Sequence, residues 1–123
     1  MHKHIADKWV QALRSGDYKQ GKRTLKGNGT HCCLGVLCEM HKQECGGEWY
    51  DATGPDRIPG AQGYRTPSGD WDWAMLPEAV QEWAGIRTGI NPGVDGEPLS
   101  GLNDSGWKFG RIADLIDARW EEL

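Results

Sequence analysis

The side chains with most capacity for chemistry are crowded between residues 31 and 45: His31, Cys32, Cys33, Cys38, His41 and Cys45. Thiolates and imidazoles are zinc ligands, and Cys38, His41 and Cys45, at i, i+3 and i+7, share one stripe of a helix. Structural zinc usually draws on paired C-x2-C knuckles, or on a knuckle and a helix, and no such pair is present. Small, polarizable core residues beside Leu34 and Leu37 explain the same pattern. A zinc-stabilised interaction domain built on Cys38, His41 and Cys45 therefore stands third among the readings. A cysteine nucleophile needs a base and a depressed pKa. His31 or His41 could serve as base. Cys32, at a strand-to-helix junction, is the one thiol near a helix N-terminus, where the dipole favours thiolate, whereas Cys33 and Cys38 are expected to be buried and inert.

Phosphate chemistry is the other option. Gly16 to Lys22 matches the G-x4-G-K of a phosphate-binding loop, but Arg23 stands where Ser or Thr should ligate magnesium. The context also differs, since this segment follows a helix and opens a hairpin. What remains is a basic cluster, Lys19, Lys22, Arg23 and Lys26, with Tyr18 among them. Lysine, arginine and the amides of glycine turns bind phosphate without catalysis. No Asp/Glu pair and no Ser/His/Asp set has the spacing of an active site, and Asn103-Asp104-Ser105 reads as helix capping. The expectation is a non-enzyme without a cofactor.

These side chains need elements to carry them. Ile5, Ala6, Trp9, Val10 and Leu13 recur at helical spacing between Lys3 and Arg14. Arg23 to Lys26 and Thr30 to Cys32 flank Gly27-Asn28-Gly29, which predicts a short ribbon with a tight turn. From Cys33 to Cys45 the pattern is helical and apolar nearly all round for two turns, so this helix is expected at the centre. Gly35 within it predicts a close helix neighbour. Residues 48–73 form a loop-rich excursion, with a hairpin pairing Trp49 to Ala52 with Trp71 to Trp73. Leu76 to Gly85 predicts a short helix and Arg87 to Gly101 a loop, and Leu102 to Gly106 leads into a last helix with Phe109, Ile112, Ala113, Ile116 and Trp120 on one face, capped by Asp104 or Ser105. The fold expected is α+β: about four helices around a buried central helix, residues 33–45, with one or two short antiparallel β-ribbons, in a single domain spanning 1–123.

Composition narrows the partners. The chain has 123 residues and a net charge of −4. Residues 1–31 carry +5, from seven Lys/Arg against two Asp, while residues 32–123 carry −9. Overall acidity argues against duplex nucleic acid, because phosphate contacts supply most of that affinity. No apolar run approaches the ~20 residues of a membrane span. With a mean hydropathy of −0.68 and cysteines clustered rather than spread as staples, a soluble cytoplasmic protein with reduced thiols is expected.

Trp9 with Ala12-Leu13-Arg14-Ser15-Gly16, Tyr18 to Gln20, His31 to Cys38, Leu76-Pro77 with Trp83, and Leu102-Asn103-Asp104 with Phe109, Ile112, Ala113 and Asp114 together carry a resemblance. The chain resembles a set of small accessory proteins of tailed phages and prophages that share a CCLGVLC…LP…W…LND…F..IAD pattern. That resemblance brings no catalytic residues, but it implies a protein acting on something of the host's. The first function expected is an oligomeric sponge for a nucleotide immune signal, acting in the host cytosol. Tyr18, Lys19, Lys22, Arg23, Lys26, Trp49, Tyr64 and Trp71 would supply its phosphate contacts and exposed stacking rings. The alternative is a protein–protein inhibitor of a host or defence enzyme, working through the acidic, Trp-rich surface.

Overall fold

The computed structural model describes residues 1–123. Its centre is the helix α2 (Cys33–Cys45), in which the run Cys33 to Cys38 and His41 are buried. Helix α1 (Lys3–Arg14) turns the predicted stripe Ile5, Ala6, Trp9, Val10 and Leu13 inward. The Trp9 indole N–H donates to the Cys33 carbonyl at 3.0 Å, so a ring that fills the core also satisfies a polar group there. Along its other side α1 packs on α5 (Phe109–Arg119), which buries Phe109, Ile112, Ala113 and Ile116. Arg14 reaches across to Asp114 at 2.7 Å. Helix α3 (Glu78–Ala84) closes the core with Val80 and Ala84. Both α2 and α3 end on a glycine in the left-handed region, Gly46 (φ 87°) and Gly85 (φ 70°), as C-caps favour. No helix is long and apolar enough to cross a membrane.

The ribbon β1 (Lys26–Gly27) and β2 (Thr30–His31) forms as expected, but its turn is the two-residue Asn28-Gly29, with φ of 53° and 78°. Both central residues at positive φ mark the turn whose twist suits a hairpin, and Gly27 belongs to the strand. The expected pairing of Trp49 to Ala52 with Trp71 to Trp73 does not occur. A strand absent from the sequence reading, β4 (Ala61–Arg65), lies between β3 (Glu48–Asp51) and β5 (Trp71–Asp72) and pairs with both, and with β1. Its composition, Ala-Gln-Gly-Tyr-Arg, is poor in β-branched residues. Gly63 is there because the Tyr50 ring from β3 lies over it, where a Cβ would overlap the ring. The result is one five-stranded antiparallel sheet in place of two separate ribbons.

Residues 87–101 also hold more structure than expected. A second hairpin, β6 (Gly93–Val94) and β7 (Glu97–Pro98), turns on Asp95-Gly96, and a fifth helix, α4 (Leu99–Asp104), follows directly. Asp104 ends α4 instead of capping α5. The N-cap of α5 is Lys108, which makes no side-chain cap. The N–H of Phe109, which has no partner within the helix, is taken up by the Gln20 Oε1 at 3.0 Å, a cap supplied from a distant part of the chain. The close neighbour at Gly35 is likewise not a helix but the backbone of Leu25.

Candidate ligand-binding surface

Three of the expected site residues converge on His31. Cross-strand pairing places Lys26 opposite His31, and an isolated parallel bridge places Gln20 on its other side. Tyr18 meets the His31 ring edge-on at a centroid distance of 5.2 Å, Trp49 meets it at 5.9 Å, and the Lys26 ammonium sits 5.2 Å from the Trp49 centroid. His31 is buried, and burial together with the Lys26 charge lowers its pKa to about 4. Its Nε2 and the Trp49 Nε1 are both buried without a partner.

Tyr64 and Trp71 do not join them. Tyr64 is fully buried, packed on Trp49 with its hydroxyl bonded to His41 Nδ1, and burial pushes its pKa well up. It is a core residue and offers no stacking face. Cross-strand partners share a face and successive residues alternate. Trp49, Tyr64 and Asp72 therefore lie on one side of the sheet, and Glu48, Arg65 and Trp71 on the other. Trp71 is 51% exposed on that opposite side, edge-on to Tyr50.

Lys19, Lys22 and Arg23 are exposed. Arg23 sits at φ 71°, held there by its N–H donating to Asp104 Oδ1 at 2.9 Å. Lys22 flanks a depression of about 60 Å³ together with Lys108, Gly106 and Trp107, floored by Gln20 and Asn103. The Arg111 guanidinium stacks over Trp107 at 3.7 Å. None of Lys19, Lys22, Arg23, Lys26, Lys108 or Arg111 takes part in an ion pair; the paired cations are Lys3, Arg14, Arg65 and Arg119. Trp107, Lys108 and Arg111 thus extend the basic cluster of the N-terminal third. The sequence signal was their own aromatic-plus-basic spacing, overshadowed by the apolar stripe of α5.

Asn103, read from sequence as part of a cap, is fully buried and ties these pieces together. Its Oδ1 accepts from Gln20 Nε2 (3.0 Å) and the Cys33 N–H (3.2 Å), and its Nδ2 donates to the Gly21 carbonyl (2.8 Å). Gln20 Nε2 also donates to the Trp107 carbonyl at 2.7 Å. The segment bearing the basic cluster is therefore fastened to the start of α2 and to the α4–α5 junction.

The thiols are placed against chemistry. Burial pushes Cys32 up to about 11 and raises Cys33 and Cys38 well above the ordinary range, so desolvation outweighs the helix dipole that favoured a Cys32 thiolate. Cys45 is exposed, and it too is raised, by partial desolvation and the neighbouring Glu44 charge. Cys38, His41 and Cys45 do not form a ligand set: Cys38 is fully buried, Cys45 is at the surface, and His41 Nδ1 is engaged by Tyr64. No three His, Cys, Asp or Glu side chains are grouped so as to hold a metal ion. In the glycine loop, the Gly21 N–H is committed to the His31 carbonyl at 2.8 Å, so it cannot cradle a phosphate.

Fold and surface together define a small α+β protein built around one buried helix, with a cationic and aromatic surface spread over residues 18–26 and the start of α5. The chain belongs to the family described as Domain of unknown function (DUF8296), whose model matches residues 1–120. Comparison with curated proteins and with solved structures gives no match.

Proposed function

We propose that this protein is a non-catalytic binding protein that holds a nucleotide, with the phosphate at the depression between Lys22 and Lys108. One observation carries the reading: cations from distant parts of the chain flank a single depression whose lining contains no carboxylate. The Trp107–Arg111 stack stands beside it, and Lys19 and Arg23 lie on the same segment as Lys22. Uncompensated lysines and arginines in an acidic chain favour an anionic partner, and phosphate is the anion their donors suit. Buried, protonated thiols speak for binding over catalysis. The resemblance to phage and prophage accessory proteins supplies a setting, sequestration of a nucleotide signal of host immunity.

Native mass spectrometry and calorimetry against mono-, di- and cyclic nucleotides test this. At least one is expected to bind, with affinity falling as salt rises and dropping at least tenfold in Lys22→Ala and Lys108→Ala. No binding by any nucleotide, or unchanged binding in both variants, overturns it.

The exposed Trp71 supports a second reading, inhibition of a host or defence enzyme. Arg65 lies over Tyr50 at 5.2 Å beside Trp71, and Trp, Tyr and Arg are the favoured anchors of protein interfaces. A complex captured from host lysate that survives nuclease and is lost in Trp71→Ala would establish it.

A further inference from the structure

We infer that the groove between α1 and α2 is the seat of a nucleobase and its sugar, an inference that rests on the reading above for the class of ligand and names where its uncharged half would go. The groove has a volume of about 480 Å³, within the range of small-molecule sites. Tyr18 and Trp83 line it as two aromatic walls. Both rings are already engaged: Tyr18 stands edge-on to His31, and Trp83 stands edge-on to His41 at 5.2 Å, with its indole N–H donating at 2.6 Å to Glu44, itself part of the groove lining. Aromatic walls already fixed in place lose little entropy when a flat ring stacks on them. Met40 adds a polarizable surface from α2.

The polar lining selects the kind of ring. Gln11 of α1 and Gln43 of α2 each offer an amide with two donors and an acceptor, which matches the mixed donor and acceptor edge of a base. Asp17 offers only acceptors, which suit ribose hydroxyls. The groove lining carries one cation, Lys8, against the two carboxylates Asp17 and Glu44, a net negative balance that favours the charged end lying outside it. Tyr18 of the groove and Gln20 of the Lys22–Lys108 depression are two residues apart in the chain, so their α-carbons lie within about 7 Å of one another. The base is placed in the groove and the phosphate is directed toward that depression.

The test is a titration of the full chain with uncharged adenosine, guanosine, cytidine and uridine, followed by NMR of the Trp83 indole N–H and the Gln11 and Gln43 side-chain amides. Pyrophosphate is titrated in parallel. At least one nucleoside is expected to shift those three groups. A Gln11→Ala/Gln43→Ala variant, both sites being exposed and the fold checked by its melting curve, is expected to weaken that nucleoside at least tenfold. Lys22→Ala/Lys108→Ala should leave nucleoside affinity within twofold while abolishing the pyrophosphate response. Absence of any nucleoside shift at millimolar concentration, or an unchanged affinity in the glutamine variant, overturns the inference. If pyrophosphate still binds in that case, the phosphate reading survives alone. Nucleoside binding without a pyrophosphate response supports the groove and overturns the Lys22–Lys108 site.

Discussion

The Leu25 carbonyl lies directly over the α-carbon of Gly35, so that a Cβ added at Gly35 would overlap the carbonyl oxygen and carbon of Leu25. This contact sets how closely the chain entering β1 can approach α2. It also explains why a helix interior keeps a residue that costs about 1 kcal/mol relative to alanine. Leu25 is fully buried, and its carbonyl accepts the Cys32 N–H at 3.2 Å, so the strand cannot back away without losing both core and hydrogen bond. Gly35→Ala is therefore expected to destabilise the protein by about 3 kcal/mol, the gain in helix propensity being smaller than the overpacking. Urea unfolding measures it. A variant as stable as the parent would show that the approach relaxes at little cost.

Asn103 ranks with Gly35 as a determinant of the fold, for a polar reason. Truncation to alanine leaves the buried Cys33 N–H and the part-buried Gly21 carbonyl without their partner and frees one hydrogen bond of Gln20. Each orphaned buried group costs about 1–3 kcal/mol. Asn103→Ala is expected to lose about 3 kcal/mol in denaturant unfolding, and hydrogen exchange should accelerate first in residues 19–23. Asn103→Asp should not rescue it, because a carboxylate cannot donate to the Gly21 carbonyl.

The parts of the fold legible in sequence are those with a period. The stripes of α1, α2 and α5 place Trp9, Leu37 and Ile112 in the core because a helix repeats every 3.6 residues whatever its neighbours do. β4 was not legible: Ala61, Gly63 and Tyr64 are buried by tertiary contacts that its weak β composition does not announce. The surface was half legible. Lys22 was visible as a charge, but its neighbour Lys108 is set beside it by Asn103 and Gln20, side chains whose spacing predicts only a cap and a loop. Tyr64 was misread because an aromatic in a glycine-rich stretch looks exposed until its strand partner Trp49 is known.

The cysteines should separate cleanly by reactivity. Cys32, Cys33 and Cys38 are buried with raised pKa values, whereas Cys45 is exposed. Since the thiolate is the reacting species, a disulfide reagent at pH 8 is expected to label one thiol quickly and three only on unfolding. Cys45→Ser should remove the fast phase. Rapid native labelling of Cys32 would contradict its burial.

His31 makes a specific prediction about acid stability. Its folded pKa of about 4 lies below the ordinary 6.5, so between these values the unfolded chain binds a proton that the folded chain refuses. Stability is thus fully present above pH 6.5, falls as the pH drops toward 4, and loses no more from this group below that. By pH 5 the loss is on the order of 2 kcal/mol at most, less whatever solvent reaching the ring edge relieves. His41, also lowered by burial, acts in the same direction, though the Asp70 and Glu44 charges oppose its shift. The carboxylates of Asp51, Asp70 and Glu122, whose pKa values are lowered, add their losses only at more acidic pH. Unfolding free energies at pH 7.5 and 5 should therefore differ more in the parent than in His31→Gln, which keeps a polar side chain but cannot titrate. Equal differences in the two proteins would mean that the ring protonates in place, with Lys26 swinging away from Trp49 to accommodate the charge.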